Sequence, residues 1–240
     1  MKKNRWVIVH EDQDVIVVNK PAPYLTIPDR YDKTKPNLVG MLSQKRDIVL
    51  INHRLDKDTS GLIVFTKNEV AHKHLSRQFE ERTVDKHYLV IVHGRPAEEV
   101  GLIDLAIGPS GVKNKGMILD ATAKESLTKY RILEAWSRHS LLEVKILTGR
   151  QHQIRVHMQA IHCPVLCDHM YGDGTPFLLS SVKRKMRRNK DEEERPLLSR
   201  VALHSHILKF KHPTSGQNLE FSSDLPKDMK AVVNQLSKLG

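Results

Sequence analysis

Cysteine is almost absent. The 240 residues hold two, Cys163 and Cys167, too few for a disulfide framework. No run of 18 apolar residues occurs, so no membrane-spanning helix is expected. The opening, MKKNRWVIVHEDQD, carries two lysines but no long apolar stretch behind them, and does not read as a secretory signal. The chain ends SKLG, and the final glycine spoils a peroxisomal signal. These absences leave a cytoplasmic location as the default expectation. Acidic residues are also scarce, 28 against 39 Lys plus Arg, for a net charge of +11 and a pI near 9.6. Such a balance favours encounter with polyanions, nucleic acid among them. What is present is a core-forming chain. Hydrophobic residues make up 39%, which excludes a disordered protein, and the length suits one large domain or two small ones.

Two β-branched runs, around Val7–Val9 and VIVVNK at 15–20, flank the acidic turn EDQD and read as adjacent strands. KPAPYLTIPD holds three prolines and is loop. A short helix is expected over 37–46. In NEVAHKHLSRQFEERT, Ala71, Leu75 and Phe79 recur at helical spacing behind Asn68, a good N-cap. KHYLVIV at 86–92 returns to strand and Gly94 ends it. Residues 101–123 read as loop with short strands. SLTKYRILEAW and SLLEVKILTG read as an antiparallel pair around SRH. Next, Thr148 and Gln151 match a capping box for a helix whose buried stripe would be Ile154, Met158 and Ile161. Residues 172–200 show no core pattern. VALHSHILKF and NLEF are strands, and a last helix runs from about Pro226. There is no internal repeat and no linker, so 1–240 reads as a single domain.

The chemistry candidates begin with HRLDKDTSG at 53–61, where Arg54 and Asp56 stand just before an apolar strand. A carboxylate there can be general base, nucleophile, metal ligand or ordinary loop charge. The segment TGRQHQIRVH places Arg150 and Arg155 at a helix start, within reach of a buried carboxylate. An Arg partner keeps an Asp ionised in a desolvated cleft, and such an Asp can act as a nucleophile. HCPVLCDH at 162–169 offers His162, Cys163, Cys167 and His169. The two cysteines are three residues apart with Pro164 between them, and no second pair lies at zinc-finger spacing. Small buried thiols are therefore the preferred reading over a metal site. The block KRKMRR abuts an acidic run, lies within an expected surface insertion at 175–199, and reads equally as a phosphate-binding patch or as a solvated loop that touches nothing.

HRLDKDTSGLIVFTK resembles the signature H-R-L-D-x-x-T-S-G of the RluA-type pseudouridine synthases. VVNKPAP resembles the family's V-N-K-P loop. KHYLVIVHG resembles K-x-Y-x-A-x-V-x-G, with Val90 for Ala. LTGRQHQIRVH resembles T-G-R-x-H-Q-I/L-R-x-H. PVLCDHMYG fits H-P-I-x-G-D-x-x-Y-G with Cys167 for Gly, and ALHSHILKFKHP fits L-H-A-x-x-L-x-F-x-H-P with Ser205 for Ala. The resemblance covers about residues 6–225. It implies an α+β fold with a mixed, largely antiparallel sheet, flanking helices and a central cleft. It implies isomerisation of specific uridines in structured RNA, ribosomal or transfer, with no cofactor and no metal. Carried over residue by residue, Asp56 is the catalytic aspartate and Arg155 its salt-bridge partner. Tyr88 packs against the target base, and Arg54 enters the space that the flipped base leaves. The N-terminal S4-like domain of many members is not expected here, and a monomer is.

These roles make physical sense. A stacked uridine must leave its stack to expose C1′ and C6, at a cost of a few kcal/mol. A planar guanidinium can fill the gap, and a tyrosine ring gives the flipped base a flat wall. Two rival readings are weighed beside this one. A non-catalytic RNA-binding scaffold would be expected to have lost one of Arg54, Asp56, Tyr88 and Arg155. A metal-dependent hydrolase would need ligands at fixed spacing, which the histidines do not show.

Overall fold

The opening β-branched runs pair through the acidic turn between them. The Asp12 carboxylate accepts the amides of Asp14 and Val15, each at 2.8 Å, which closes the turn. The structure, a computed structural model, describes residues 6–112, 116–183 and 194–238. In chain order its elements are β1 (Val7–Glu11), β2 (Val15–Lys20), α1 (Leu38–Ser43), β3 (Leu50–Ile51), β4 (Ser60–Thr66), α2 (Glu69–Glu80) and β5 (Asp85–His93). Then come β6 (Val100–Asp104), β7 (Ile107–Pro109), β8 (Met117–Leu119), β9 (Leu127–Ala135), β10 (His139–Ile146) and α3 (Gln153–Ala160). The last are β11 (Leu203–Lys211), β12 (Asn218–Ser222) and α4 (Lys227–Leu236). The chain divides into two compact units, Met1–Tyr88 with His204–Asp224, and Leu89–Leu203 with Leu225–Gly240.

In the first unit the strand order is β1-β2-β4-β11, with β12 paired to β11 and β3 to β4. The pairs are antiparallel except β4 with β11, which run parallel with Ser205 opposite Gly61. This is the mixed, largely antiparallel α+β arrangement expected. Every residue of β4 is buried, because its continuous apolar run is covered on both faces. Val15, Val17, Leu62, Val64, Leu75 and Leu208 form the core. Asn68 caps α2 by accepting the Ala71 amide at 2.8 Å, and the helix turns Ala71, Leu75 and the partly buried Phe79 inward.

In the second unit β9 and β10 form the expected hairpin, and β6 lies antiparallel to β9. The β7–β8 pair forms a separate two-stranded sheet. α3 packs on β8 and β9, and α4 follows Pro226 to bury Met229, Val232 and Leu236.

The start of α3 corrects one expectation. His152 takes a left-handed conformation (φ 55°), so the helix begins at Gln153. The Thr148 hydroxyl donates to Gln153 Oε1 at 2.7 Å and the Arg150 amide to the same oxygen at 3.0 Å, while Gln151 is exposed. Gln153 Nε2 donates to Leu127 O and Thr128 Oγ1, both at 2.9 Å. A buried amide satisfied on both ends outweighs a surface capping box. Ile154 and Met158 are buried as expected, but Ile161 is the C-cap and only partly covered. Within 175–199, Phe177 and Leu198 pair and are both buried, a core contact that the local pattern does not announce. Most of the KRKMRR block lies outside the described residues.

Candidate active site

The loop between β3 and β4 carries HRLDKDTSG, and its main chain is held at nearly every residue. His53 Nε2 accepts the Val64 amide at 3.1 Å, and its ring stacks on Phe79 at 4.7 Å. Burial, reinforced by the Lys86 cation, pushes His53 down to about 3, so it stays a neutral acceptor. Leu55 is buried, and the Thr26 hydroxyl grips it twice. It donates to Leu55 O at 2.8 Å and accepts Leu55 N at 3.2 Å. The fully buried Lys20 donates to Lys57 O at 3.1 Å and to Tyr24 O at 2.8 Å, and the Tyr24 amide also reaches Lys57 O at 3.1 Å. The Thr59 amide closes a turn on Asp56 O at 3.2 Å. Asp56 sits between these ties, half-buried, and Arg54 is exposed beside it.

The last three letters of the signature anchor the loop to β11. Ser60 Oγ lies 2.9 Å from His204 Nδ1. His204 Nε2 lies 3.2 Å from Ser223 O, so the ring donates there and accepts from Ser60 at Nδ1. Gly61 has φ 110°, and a Cβ on it would fall on the Ser205 backbone. Only glycine fits, on both counts.

Tyr88, near the start of β5, is buried, with Ser205 close to its phenol. Ser205 Oγ donates to Leu62 O at 2.9 Å. Burial raises the Tyr88 phenol well above its ordinary range, and the Asp56 charge adds to the rise. The structure therefore brings Tyr88 and Asp56 into electrostatic contact, with the phenol protonated.

In the second unit Arg155, third residue of α3, is buried and forms a two-pronged pair with Asp168. Nε donates to Oδ2 at 2.6 Å and Nη2 to Oδ1 at 2.7 Å. The guanidinium also lies 4.9 Å over the Tyr171 ring. Burial works against the Asp168 charge. The Arg155 bonds, its charge and the amides of Met170 and Tyr171 outweigh that, and hold the carboxyl below its usual range. Cys167, just before it, has φ 59°, which explains the usual glycine there. Cys163 and Cys167 are both buried, and burial lifts the Cys167 thiol to about 11. His152 and His157 have structural partners, Tyr171 Oη for the first and Thr128 Oγ1 with Leu105 O for the second.

Sequence reasoning missed Lys20, Thr26 and Asp168 as supports. Lys20 and Asp168 stand inside the matched V-N-K-P and G-D-x-x-Y-G blocks, which was the available signal. Thr26 has none, since its role depends on a fold-back of 29 residues.

An aspartate on a clamped loop near a buried tyrosine, on a mixed α+β sheet, is an arrangement that the comparisons place in a family. The RNA pseudouridylate synthase family model matches residues 14–160, and the chain belongs to that family. It isomerises uridine to pseudouridine in RNA. It is 35% identical to the uncharacterized RNA pseudouridine synthase YlyB of Bacillus subtilis, over 97% of this chain and 73% of that protein. It is 36% identical to ribosomal large subunit pseudouridine synthase D of Vibrio cholerae, over 92% and 68%. Its fold matches the human RNA pseudouridylate synthase domain containing 1 with a TM-score of 0.70 at 26% identity, covering 97% and 95% of the two chains.

Proposed function

We propose that Asp56 is the catalytic carboxylate of this uridine isomerase, acting on a uridine flipped out of ribosomal or transfer RNA. The observation that carries the assignment is the clamped loop. Lys20, Thr26 and His53 fix the main chain on either side of Asp56, and a catalytic group so held needs little reorganisation as charge develops. Breaking the bond at N1 and joining C5 to C1′ moves no atom out of the molecule. The protein must hold the base, stabilise the sugar and shuttle one proton. Tyr88 supplies a flat neutral wall, worth roughly 1–3 kcal/mol of stacking. Arg54, exposed on the same loop, fills the gap left in the RNA stack. The resemblance to the family assigns Arg155 as the partner of Asp56, and within its own unit the bonds to Asp168 fix the plane of the Arg155 guanidinium.

The Vibrio cholerae relative is named for the large ribosomal subunit, which supports ribosomal RNA as one target. We assign the chain as a cytoplasmic monomer whose residues 1–240 work as one catalytic domain, with 175–199 as a surface insertion. No helix among the described residues is long and apolar enough to cross a membrane.

The test is a pseudouridine map of RNA from cells lacking this gene, complemented with wild type or Asp56→Asn. A site modified only by wild type supports the assignment. Identical maps from the two strains would sink it.

A further inference from the structure

The second unit contains a pocket of about 480 Å³ that the chemistry above does not use. Its wall is aromatic. Trp136, at the tip of the β9–β10 hairpin, is partly exposed into it. The His93 and His139 rings lie 5.3 Å apart, and Phe177 meets His139 edge-on at 5.7 Å. Burial, then the neighbouring His93 and Arg138, push His139 down to about 4. At neutral pH it is an uncharged flat ring. The rim is cationic and hydroxylated. Arg138 and Lys183 are exposed there, with Ser137, Thr175, Ser180 and Ser181 between them. Among the described lining residues Asp173 is the one acid, and Glu194 Oε1 accepts the Ser180 amide beside the rim at 2.8 Å. His93 Nε2 is buried with no hydrogen-bond partner among the described residues, and Asp173 Oδ1 is 3.8 Å away, beyond hydrogen-bond reach.

We propose that this pocket binds one unpaired nucleotide of the RNA substrate, at a position other than the modified uridine. The base stacks on Trp136 and His139, and its phosphate lies between Arg138 and Lys183. The size suits a single nucleotide. Aromatic faces beside cations are how proteins hold single strands, because every base offers a π face and every linkage a charge. A paired base inside a duplex has no free face to offer. The proposal rests on the RNA-isomerising reading and adds a contact that selects substrates by a flanking unpaired base.

Trp6 and Trp136 are the two tryptophans, so Trp6→Phe leaves Trp136 as the fluorescent reporter. Titrate that full-length variant with a five-residue oligoadenylate and, separately, with inorganic tripolyphosphate. Saturable quenching by the oligonucleotide alone is expected. Equal response to both, or to neither, overturns the stacking. With substrate RNA, Trp136→Ala should raise KM roughly 5- to 100-fold, the loss of one stacked base, and lower kcat less. Trp136→Phe, which keeps a ring and the fold, should recover most of that affinity. An unchanged KM in Trp136→Ala, or no recovery by a folded Trp136→Phe, overturns the proposal. Arg138→Ala should flatten the dependence of log K on log salt by about 0.7. Asp56→Asn in the Trp6→Phe background should quench normally. Isomerase activity in that variant would sink the Asp56 assignment and leave the pocket standing, so the two failures are distinguishable.

Discussion

Asp56 and Asp168 both stand in blocks that match the family pattern, yet the fold surrounds them differently. Asp168 is fully buried and held by its own oxygens, through two Arg155 bonds and two backbone amides. Asp56 is half-buried in a loop whose main chain is held at Leu55 by Thr26, at Lys57 by Lys20 and at the Asp56 carbonyl by the Thr59 amide. The first arrangement fixes a charge in order to orient a partner. The second fixes a frame and presents the carboxylate from it.

Substitution can break that contrast. Asp56→Asn should lower isomerisation by at least about 10³-fold with an unchanged melting curve. Asp168→Asn should do the reverse first, costing about 3–5 kcal/mol by removing a buried counter-charge, read as a fall in Tm. If Asp168→Asn proved as stable as wild type, the division of roles would fail. Gly61→Ala should cost about 3 kcal/mol or more, because it combines a positive φ with overlap on the Ser205 backbone. Denaturant titration reads it. Tyr88→Phe and Ser205→Ala should each fold, and a double-mutant cycle should return a coupling of about 1 kcal/mol. A coupling near zero would remove the phenol–Ser205 contact from the account.

The smallest effect is on pH. Burial disfavours the charged form of His53, so the unfolded chain takes up that proton first. Stability should therefore fall as pH drops below about 6.5, and go on falling until the folded-state value near 3. Between pH 7 and 6 the His53 share is about 0.7 kcal/mol. His53→Asn, which cannot titrate, should show a shallower loss over that interval in chemical denaturation.

Local signals announced the local structure. Asn68 before a four-residue apolar repeat gave α2 and its cap, and the β-branched runs gave the opening hairpin. Asp56 and Tyr88 were legible because their blocks match a family pattern. What stayed hidden depends on distance along the chain or on burial. The Thr148 partner is Gln153 rather than Gln151, since the left-handed His152 delays the helix and only Gln153 reaches buried acceptors. Phe177 and Leu198 find each other across 20 intervening residues rich in charge. Ser205, a departure from the usual alanine, gains meaning only once β11 brings it to Tyr88.

The Ser60–His204 bond spans 144 positions. At about 5–20 residues per second, a ribosome takes roughly 7–30 s to travel from one to the other. Throughout that interval the aspartate loop is already made, but the strand that seats Gly61 does not yet exist. The growing chain, basic and surrounded by ribosomal RNA, can touch nucleic acid long before it can alter it. Synthesis order therefore completes the seat of Gly61 only when most of the length has been translated.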